Sequence, residues 1–342
     1  MLQLQYKRNN FPFQYAFSLA KGTKTHQDSL QVGLRFAALQ GWGEATAIAY
    51  HNVTVESMME QLEEKKAMIE RYMFMEPERF WHFLHHLIPN DKFLTSALDC
   101  AGWDLFGQMK RKPVFQLLGL EWNDTPSSDY TLGMATPSEI QERIKIHPFP
   151  IYKMKVATAT DLESLRAARQ VTDAKIRIDA NEAWTIEQAR SLLPILEELG
   201  IELIEQPLHR LDLEGMNELK TLTSIPIIAD EACQNEKDLD KIAALYDGIN
   251  VKLAKVSGIT PAISLIKSAK EKGLSVMLGC MSEGVVGCTA MSHLLPLADY
   301  ADIDGPLILK DETFSGLVIE NGKVLEPTRS GLGLTLLERE KE

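Results

Sequence analysis

Apolar and polar positions follow two different rhythms along this chain. In residues 1–45 they alternate with period two. Leu2, Leu4 and Tyr6 share one face, and Ser29 to Leu39 forms a second such run. The pattern predicts a meander of strands. Gly41-Trp42-Gly43 reads as a turn leading to Glu44, and the polar, glycine-containing stretch Ser18–Thr25 as a loop between strands. Over residues 54–118 the spacing becomes helical. Val55–Met75 reads as one helix, and Pro77 restarts a second after Glu76. A third helix, Lys92–Lys110, ends before Pro113 and Gly119. Strands followed by helices predict an α+β unit.

From about residue 128 short strands and helices alternate. The predicted strands are Tyr130–Met134, Ile151–Val156, Lys175–Asp179, Glu202–Glu205, Ile225–Asp230, Gly248–Lys252, Ser275–Leu278 and Tyr300–Asp302. The predicted helices are Ser138–Ile146, Asp161–Val171, Ile186–Leu199, Leu213–Leu222, Glu236–Leu245, Pro261–Lys272 and Gly284–Leu295. Thr185 and Asn235 suit helix N-caps, and Gly200 and Gly273 suit helix stops. Eight strands separated by seven helices, with short loops, favour an α/β fold closed as a barrel over an open sheet. No glycine fingerprint follows a strand, which disfavours dinucleotide binding. Gly331-Leu332-Gly333 lacks that context.

Composition narrows the function classes. The 342 residues are 45% hydrophobic and 25% charged, with a net charge of −12. This is globular composition, large enough for one or two domains. An acidic chain with no basic stretch argues against a nucleic-acid partner, and no apolar run is long enough for a transmembrane helix. Cys100, Cys233, Cys280 and Cys288 are widely spaced. They read as free thiols of a cytoplasmic protein rather than a disulfide framework or zinc site. His82, His85 and His86 have no acidic or cysteine partner nearby and read as surface or packing residues.

The charges that interrupt the barrel strands carry the chemistry. Lys153 and Lys155 lie one residue apart on the second strand, so they share a face. The third, fourth and fifth strands end in Asp179, Glu205 and Asp230, about 25 residues apart, the length of one strand–helix unit. These carboxylates therefore fall together on the C-terminal rim, where barrel active sites lie. Three carboxylates on one arc repel unless a cation joins them, and an all-oxygen set suits Mg²⁺. Lys252 ends the sixth strand, opposite the second in an eight-stranded ring. Lys155 and Lys252 can then face the two sides of a substrate, one removing a proton and the other returning it. Lys153 supplies a second positive charge beside Lys155 and suits carboxylate oxygens.

These residues also carry a resemblance. Lys153-Met154-Lys155, Asp179-Ala180-Asn181, Glu205-Gln206-Pro207, Ala229-Asp230-Glu231 and Asn250-Val251-Lys252 resemble the successive motifs of the enolase superfamily, muconate-lactonising subgroup. Ala97-Leu98-Asp99 to Leu105-Phe106-Gly107, and Leu117-Leu118-Gly119, resemble the end of that group's capping domain. The resemblance spans nearly the whole chain. It implies a TIM-like (β/α)₇β barrel with an N-terminal α+β capping domain. The boundaries expected are 1–125 for the cap, 126–313 for the barrel, and 314–342 for a segment returning to the cap. It also implies an isomerase that uses Mg²⁺, one per subunit, to assist removal of a proton next to a carboxylate.

Within that family the eighth strand narrows the choice. Asp302 and Asp304 alternate, so they share a face. Strand eight is expected across the ring from strand four, hence opposite the metal. An anionic pair there suits a substrate ammonium, and a dipeptide separates its carboxylate and ammonium by roughly 6–7 Å. The Asp-Ile-Asp motif resembles that of the family's dipeptide epimerases, in which it binds the α-ammonium. The resemblance thus implies 1,1-proton transfer at the α-carbon of the C-terminal residue of an Ala-Xaa dipeptide, through an enediolate.

Specificity is expected from Phe17, Leu19, Lys21 and Lys24 of the first loop and from Cys280, Met281 and Ser282 after strand seven. Relatives acting on Ala-Glu carry an arginine in that first loop. This loop has none, so the reading leans toward a neutral or hydrophobic Xaa. A homo-oligomer is expected. The alternatives within the superfamily are N-acylamino acid racemase, o-succinylbenzoate synthase and muconate cycloisomerase. Outside it they are a Schiff-base lyase on Lys252 and a non-catalytic metal-binding barrel.

Overall fold

The computed structural model describes residues 1–19, 22–158 and 161–338. Two long strands, β1 (Gln3–Leu19) and β2 (Gly22–Phe36), pair antiparallel, and β3 (Leu39–Thr46) completes the sheet. The sequence expectation differs here in two respects. The described residues of the expected Ser18–Thr25 loop are strand-paired near the end of the β1–β2 hairpin, with Phe17 opposite Lys24 and Ser18 opposite Thr23. The chain reverses at Ala37, which has φ 55°, rather than at Gly41-Trp42-Gly43. Those glycines lie inside β3, because the strand rests directly on a helix. A Cβ on Gly41 would lie 2.1 Å from Ala101 O, and one on Gly43 1.9 Å from Ala97 O. Both positions require glycine for close approach, not for a turn.

The helix beneath them is α3 (Lys92–Lys110), after α1 (Val55–Arg71) and α2 (Pro77–Leu87). Helix α1 starts at a capping box between Thr54 and Ser57. It ends at Arg71 rather than Met75, since Tyr72 is already extended. Leu30, Val32 and Leu34 of β2 pack on Met58, Leu62, Leu84, Leu98 and Leu105 of the helices as one buried cluster. Removing any of these large side chains costs about 2–5 kcal/mol. A short helix, α4 (Val114–Leu117), leads out of this unit.

The second layer is the barrel. Its elements run β4 (Tyr130–Leu132), α5 (Pro137–Ile146), β5 (Ile151–Lys155), α6 (Asp161–Arg169), β6 (Lys175–Asp179), α7 (Ile186–Glu198) and β7 (Ile201–Glu205). They continue with α8 (Leu213–Leu222), β8 (Ile227–Ala229), α9 (Leu239–Leu245), β9 (Gly248–Val251), α10 (Leu253–Val256), α11 (Ile259–Glu271), β10 (Ser275–Gly279), α12 (Val285–Ser292) and β11 (Tyr300–Asp302). Thr185 caps α7, Asn235 caps a 3-10 turn before α9, and Gly200 and Gly273 stop helices at φ 62° and 75°. The predicted helix Glu236–Leu245 thus opens as a 3-10 turn. The one expected to reach Leu295 ends at Ser292.

Strands β4 to β11 form one parallel sheet in chain order. The seam between β11 and β4 closes through a single bridge, Ser128 to Ala301. Side chains complete it: Ile303 N donates to Ser128 Oγ, and Arg177 reaches from β6 to Ala301 O at 2.8 Å and Asp129 Oδ2 at 2.9 Å. Among the described residues no helix is long and apolar enough to cross a membrane.

Candidate active site

Strand alternation sorts the barrel interior into layers. On β5, Tyr152 and Met154 pack outward among the helices, so Lys153 and Lys155 point inward. Leu203, Ile228 and Met277 form an apolar floor inside the ring, with Tyr300 against it. Two residues further along each strand, the inward positions are Glu205, Asp230, Gly279 and Asp302. The charged layer therefore sits one pleat above the floor, at the strands' C-terminal ends.

Asp179 and Glu205 are register partners on β6 and β7, and Asp230 follows β8. All three are buried. Lys155 Nζ lies 2.6 Å from Asp179 Oδ2, and Lys252 Nζ 2.8 Å from Asp230 Oδ2. The two lysines thus approach the arc from its two ends, on strands half a ring apart. Lys153, only 2% exposed, lies between carboxylates: 2.6 Å from Glu205 Oε2, 2.6 Å from Asp302 Oδ2 and 3.3 Å from Asp179 Oδ2.

Strand eight, β11, does lie across the ring from strand four, β7, but the expected separation of its aspartates from the arc does not hold. Asp302 is not at a far rim opposite the carboxylate arc. One ammonium group bridges it to Glu205, because β11 is separated from β5 only by β4. Asp304 stands beside it, accepting from Thr131 N, and Thr131 Oγ1 lies 3.4 Å from Asp302 Oδ1.

The electrostatics follow from burial and these contacts. Burial pushes the Lys153 ammonium pKa down, but Asp302, Glu205 and Asp179 outweigh it and hold it well above the usual lysine range. Lys252 is likewise raised: burial opposes, and Asp230 and Glu205 prevail. Burial raises the carboxyl of Asp179, yet Lys155 and Lys153 bring it down to about 2. Asp304 is pushed up to about 7 by burial and by the Asp302 charge. The depressed lysine pKa expected of a base is therefore not produced at Lys252 by the chain's own charges.

The donor set fits a hard divalent cation. It is all-oxygen, anionic and borne on three adjacent strands. Glu205 Oε2 is buried and receives no directed hydrogen bond, although the Lys153 ammonium is close by. An oxygen held in that state is suited to metal coordination.

Several supporting residues escaped the sequence reading. Gln206 is buried at φ 36°; its Oε1 accepts from Asp230 N and Ala232 N, and its Nε2 donates to Leu208 O and Tyr246 Oη. It fixes the loop that carries Asp230. Lys255 Nζ donates to Asp230 Oδ1, Asp230 O and Asn250 O at 2.6–2.8 Å. Its spacing of three from Lys252 on a helical start was the available signal. Asn250 Nδ2 donates to Glu205 Oε1 at 2.8 Å.

A cavity opens over this layer. The cap contributes Phe17, Lys24, Ile48 and Tyr50. The barrel contributes Cys280, Met281, Ser282 and Ile308 beside the lysines and the Asp302–Asp304 pair. Of the first-loop candidates, Phe17 and Lys24 therefore reach the cavity. Lys21 lies outside the described residues, as does the side chain of Leu19. A second groove, lined by Gly316, Leu317 and Arg329, is away from this chemistry.

Comparison with known families now decides the lineage. Residues 3–119 match the mandelate racemase/muconate lactonizing enzyme N-terminal domain, and residues 135–340 the enolase C-terminal domain-like family. This chain belongs to the enolase superfamily. Among its superfamily relatives is the L-Ala-D/L-amino acid epimerase of Maribacter sp. It is 40% identical over 336 residues, covering 98% of this chain and 99% of that one. The dipeptide epimerase of Cytophaga hutchinsonii, solved with Mg and D-Ala-L-Val, superposes at TM-score 0.91 with 25% identity. The match covers 99% of this chain and 96% of that one. The Methylococcus capsulatus dipeptide epimerase, solved with Mg and L-Arg-D-Lys, gives TM-score 0.90 at 27% identity, covering 97% and 98%.

Proposed function

We propose that this chain is a Mg²⁺-dependent dipeptide epimerase, inverting the α-carbon of the C-terminal residue of Ala-Xaa dipeptides. The observation that carries the reading is the pairing of two opposed lysines with a separate acidic pair in one cavity. Proton transfer on two faces needs Lys155 and Lys252. A substrate with a free N-terminus needs Asp302 and Asp304. The epimerases to which the chain is similar act on such dipeptides. In this reading residues 1–125 are the cap, 126–313 the catalytic barrel and 314–342 the return segment.

Asp179, Glu205 and Asp230 would hold the cation. Mg²⁺ held there would supply Lewis-acid stabilisation of the substrate carboxylate and would offset the carboxylate charge that raises the Lys252 pKa. Lys155 takes the α-proton from one face, and Lys252 delivers a proton to the other. The reverse direction exchanges their roles. Each turnover leaves one lysine with an extra proton and the other with one fewer, and exchange with solvent resets both. Lys153 offsets the charge of the enediolate oxygens. Asp302 and Asp304 accept hydrogen bonds from the substrate ammonium, which replaces Lys153 at Asp302.

Phe17, Ile48, Met281 and Ile308 give the cavity apolar lining, which supports a neutral or hydrophobic Xaa. A second reading, an acidic Xaa, is favoured by Lys24. Lys24 lines the cavity, burial lowers its pKa, and its ammonium donates to the neutral Gln27 Oε1 at 3.3 Å. Kinetics on free and N-acetylated dipeptides test the proposal. Acetylation is expected to abolish turnover; racemisation of N-acylated amino acids with no action on free dipeptides would overturn it.

A further inference from the structure

The cavity wall at Cys280–Ser282 is continuous with the start of α12, and this segment is held from the cap. Glu44 of β3 is buried and does not line the substrate cavity. Its Oε1 accepts from Ser29 Oγ at 2.6 Å and from Gly284 N at 3.0 Å. Its Oε2 accepts from Gly287 N at 3.0 Å. One cap carboxylate thus satisfies two of the otherwise orphaned amides at the N-terminus of a barrel helix.

Other cap residues grip the same segment. Met281 packs into the cap's apolar cluster, its carbonyl lies 3.5 Å from Thr46 Oγ1, and its sulfur lies 3.8 Å from Tyr50 Oη. Two more carboxylates bind neighbouring amides: Glu283 accepts from Met281 N, and Glu312 Oε1 from Val285 N. Both belong to the barrel side of the chain. Glu44 alone among the three comes from the cap. Close approach is enforced by size, since a Cβ on Gly284 would meet the Glu312 carboxylate at 2.8 Å and one on Gly287 the Glu283 side chain at 2.5 Å.

We propose that Glu44 is a positioning residue for substrate selection: through Gly284 and Gly287 it registers the Cys280–Ser282 wall against the cap residues Phe17, Ile48 and Tyr50. Both units contribute walls to the cavity, so its shape toward the Xaa side chain depends on that registration. This inference rests on the dipeptide-epimerase reading, and its test separates the two.

Glu44→Gln keeps the shape but leaves one of the two amides facing an NH₂ donor. Losing a charge-assisted bond of this kind is expected to raise KM about tenfold, with kcat changed less than about threefold. The preference among Xaa side chains flattens. Mn²⁺ affinity, read by electron paramagnetic resonance without turnover, stays unchanged. Amide exchange of the peptide covering residues 280–288 accelerates. Thr46→Val, which removes only the weaker polar contact, serves if Glu44→Gln fails to fold. It shifts KM and exchange in the same direction by a smaller factor. Unchanged exchange at 280–288, or a fall in kcat with KM and Xaa preference intact, overturns the proposal. If the wild type epimerises no dipeptide, the functional reading falls and the exchange result alone decides whether Glu44 holds the wall.

Discussion

Lys153 and Asp302 form an ion pair of 2.6 Å, although 149 residues separate them in the chain. The pair joins the carboxylate arc to the acidic pair on the last strand. In the proposed reading, substrate binding at Asp302 would exchange one ammonium for another. Lys153 remains close to Glu205 and Asp179 after that exchange.

The two lysines of β5 should therefore be unequal. Lys155→Met removes a proton-transfer group, and kcat is expected to fall about 10³-fold or more. Lys153→Met removes a charge but no proton carrier and should cost less, about 10- to 100-fold. Steady-state kinetics of both variants with one dipeptide decide the order. A larger loss in Lys153→Met would reverse the assignment.

Lys252→Ala should abolish epimerisation while leaving α-proton exchange in one epimer, because Lys155 still reaches one face. Proton NMR in D₂O follows both processes at once. Undiminished epimerisation would remove Lys252 from the pair of bases.

Asp302→Asn and Asp304→Asn should raise KM for free dipeptides by about 30-fold or more, since each weakens a buried site for a charged group. Metal affinity should not change. Variants that are nearly silent would instead favour N-acylamino acid racemase, o-succinylbenzoate synthase or muconate cycloisomerase chemistry.

Much of this site was legible because barrel strands alternate. Asp179, Glu205, Asp230 and Lys252 each end an apolar run, so their common rim followed from spacing alone. The gaps have a shared cause: they depend on contacts far apart in the chain. Gly41 and Gly43 read as a turn because nothing local shows that α3 presses against them. The placement of Asp302 depended on which strands become neighbours when the sheet curls round, and Lys153 fills the space between them. Gln206 sits within a motif already noted, yet its work is done on the next loop, 24 residues on at Asp230 N. Glu44 was seen only as the residue after a turn; its partners at Gly284 and Gly287 are more than 200 residues away.

Stability should depend on pH through Asp99, buried in α3. Burial in α3 pushes its carboxyl up to about 7, against hydrogen bonds from Thr260. The folded chain then keeps this proton to higher pH than the unfolded chain. Its stabilising contribution is full below the ordinary carboxyl value and is lost as pH rises to about 7. Asp99→Asn mimics the protonated form. Urea unfolding at pH 5 and pH 8 should show a smaller difference for this variant than for the wild type. Equal differences would place the pH dependence elsewhere.

The central claim is metal-assisted proton exchange at the α-carbon of a dipeptide's C-terminal residue. Incubating a dipeptide library in D₂O with Mg²⁺, and reading mass and stereochemistry, tests it most directly. The account predicts gain of one deuterium at that carbon in a subset of Ala-Xaa dipeptides, appearance of the other epimer, and loss of both with EDTA. Absence of deuterium from every dipeptide, or exchange that persists undiminished in EDTA, would contradict it.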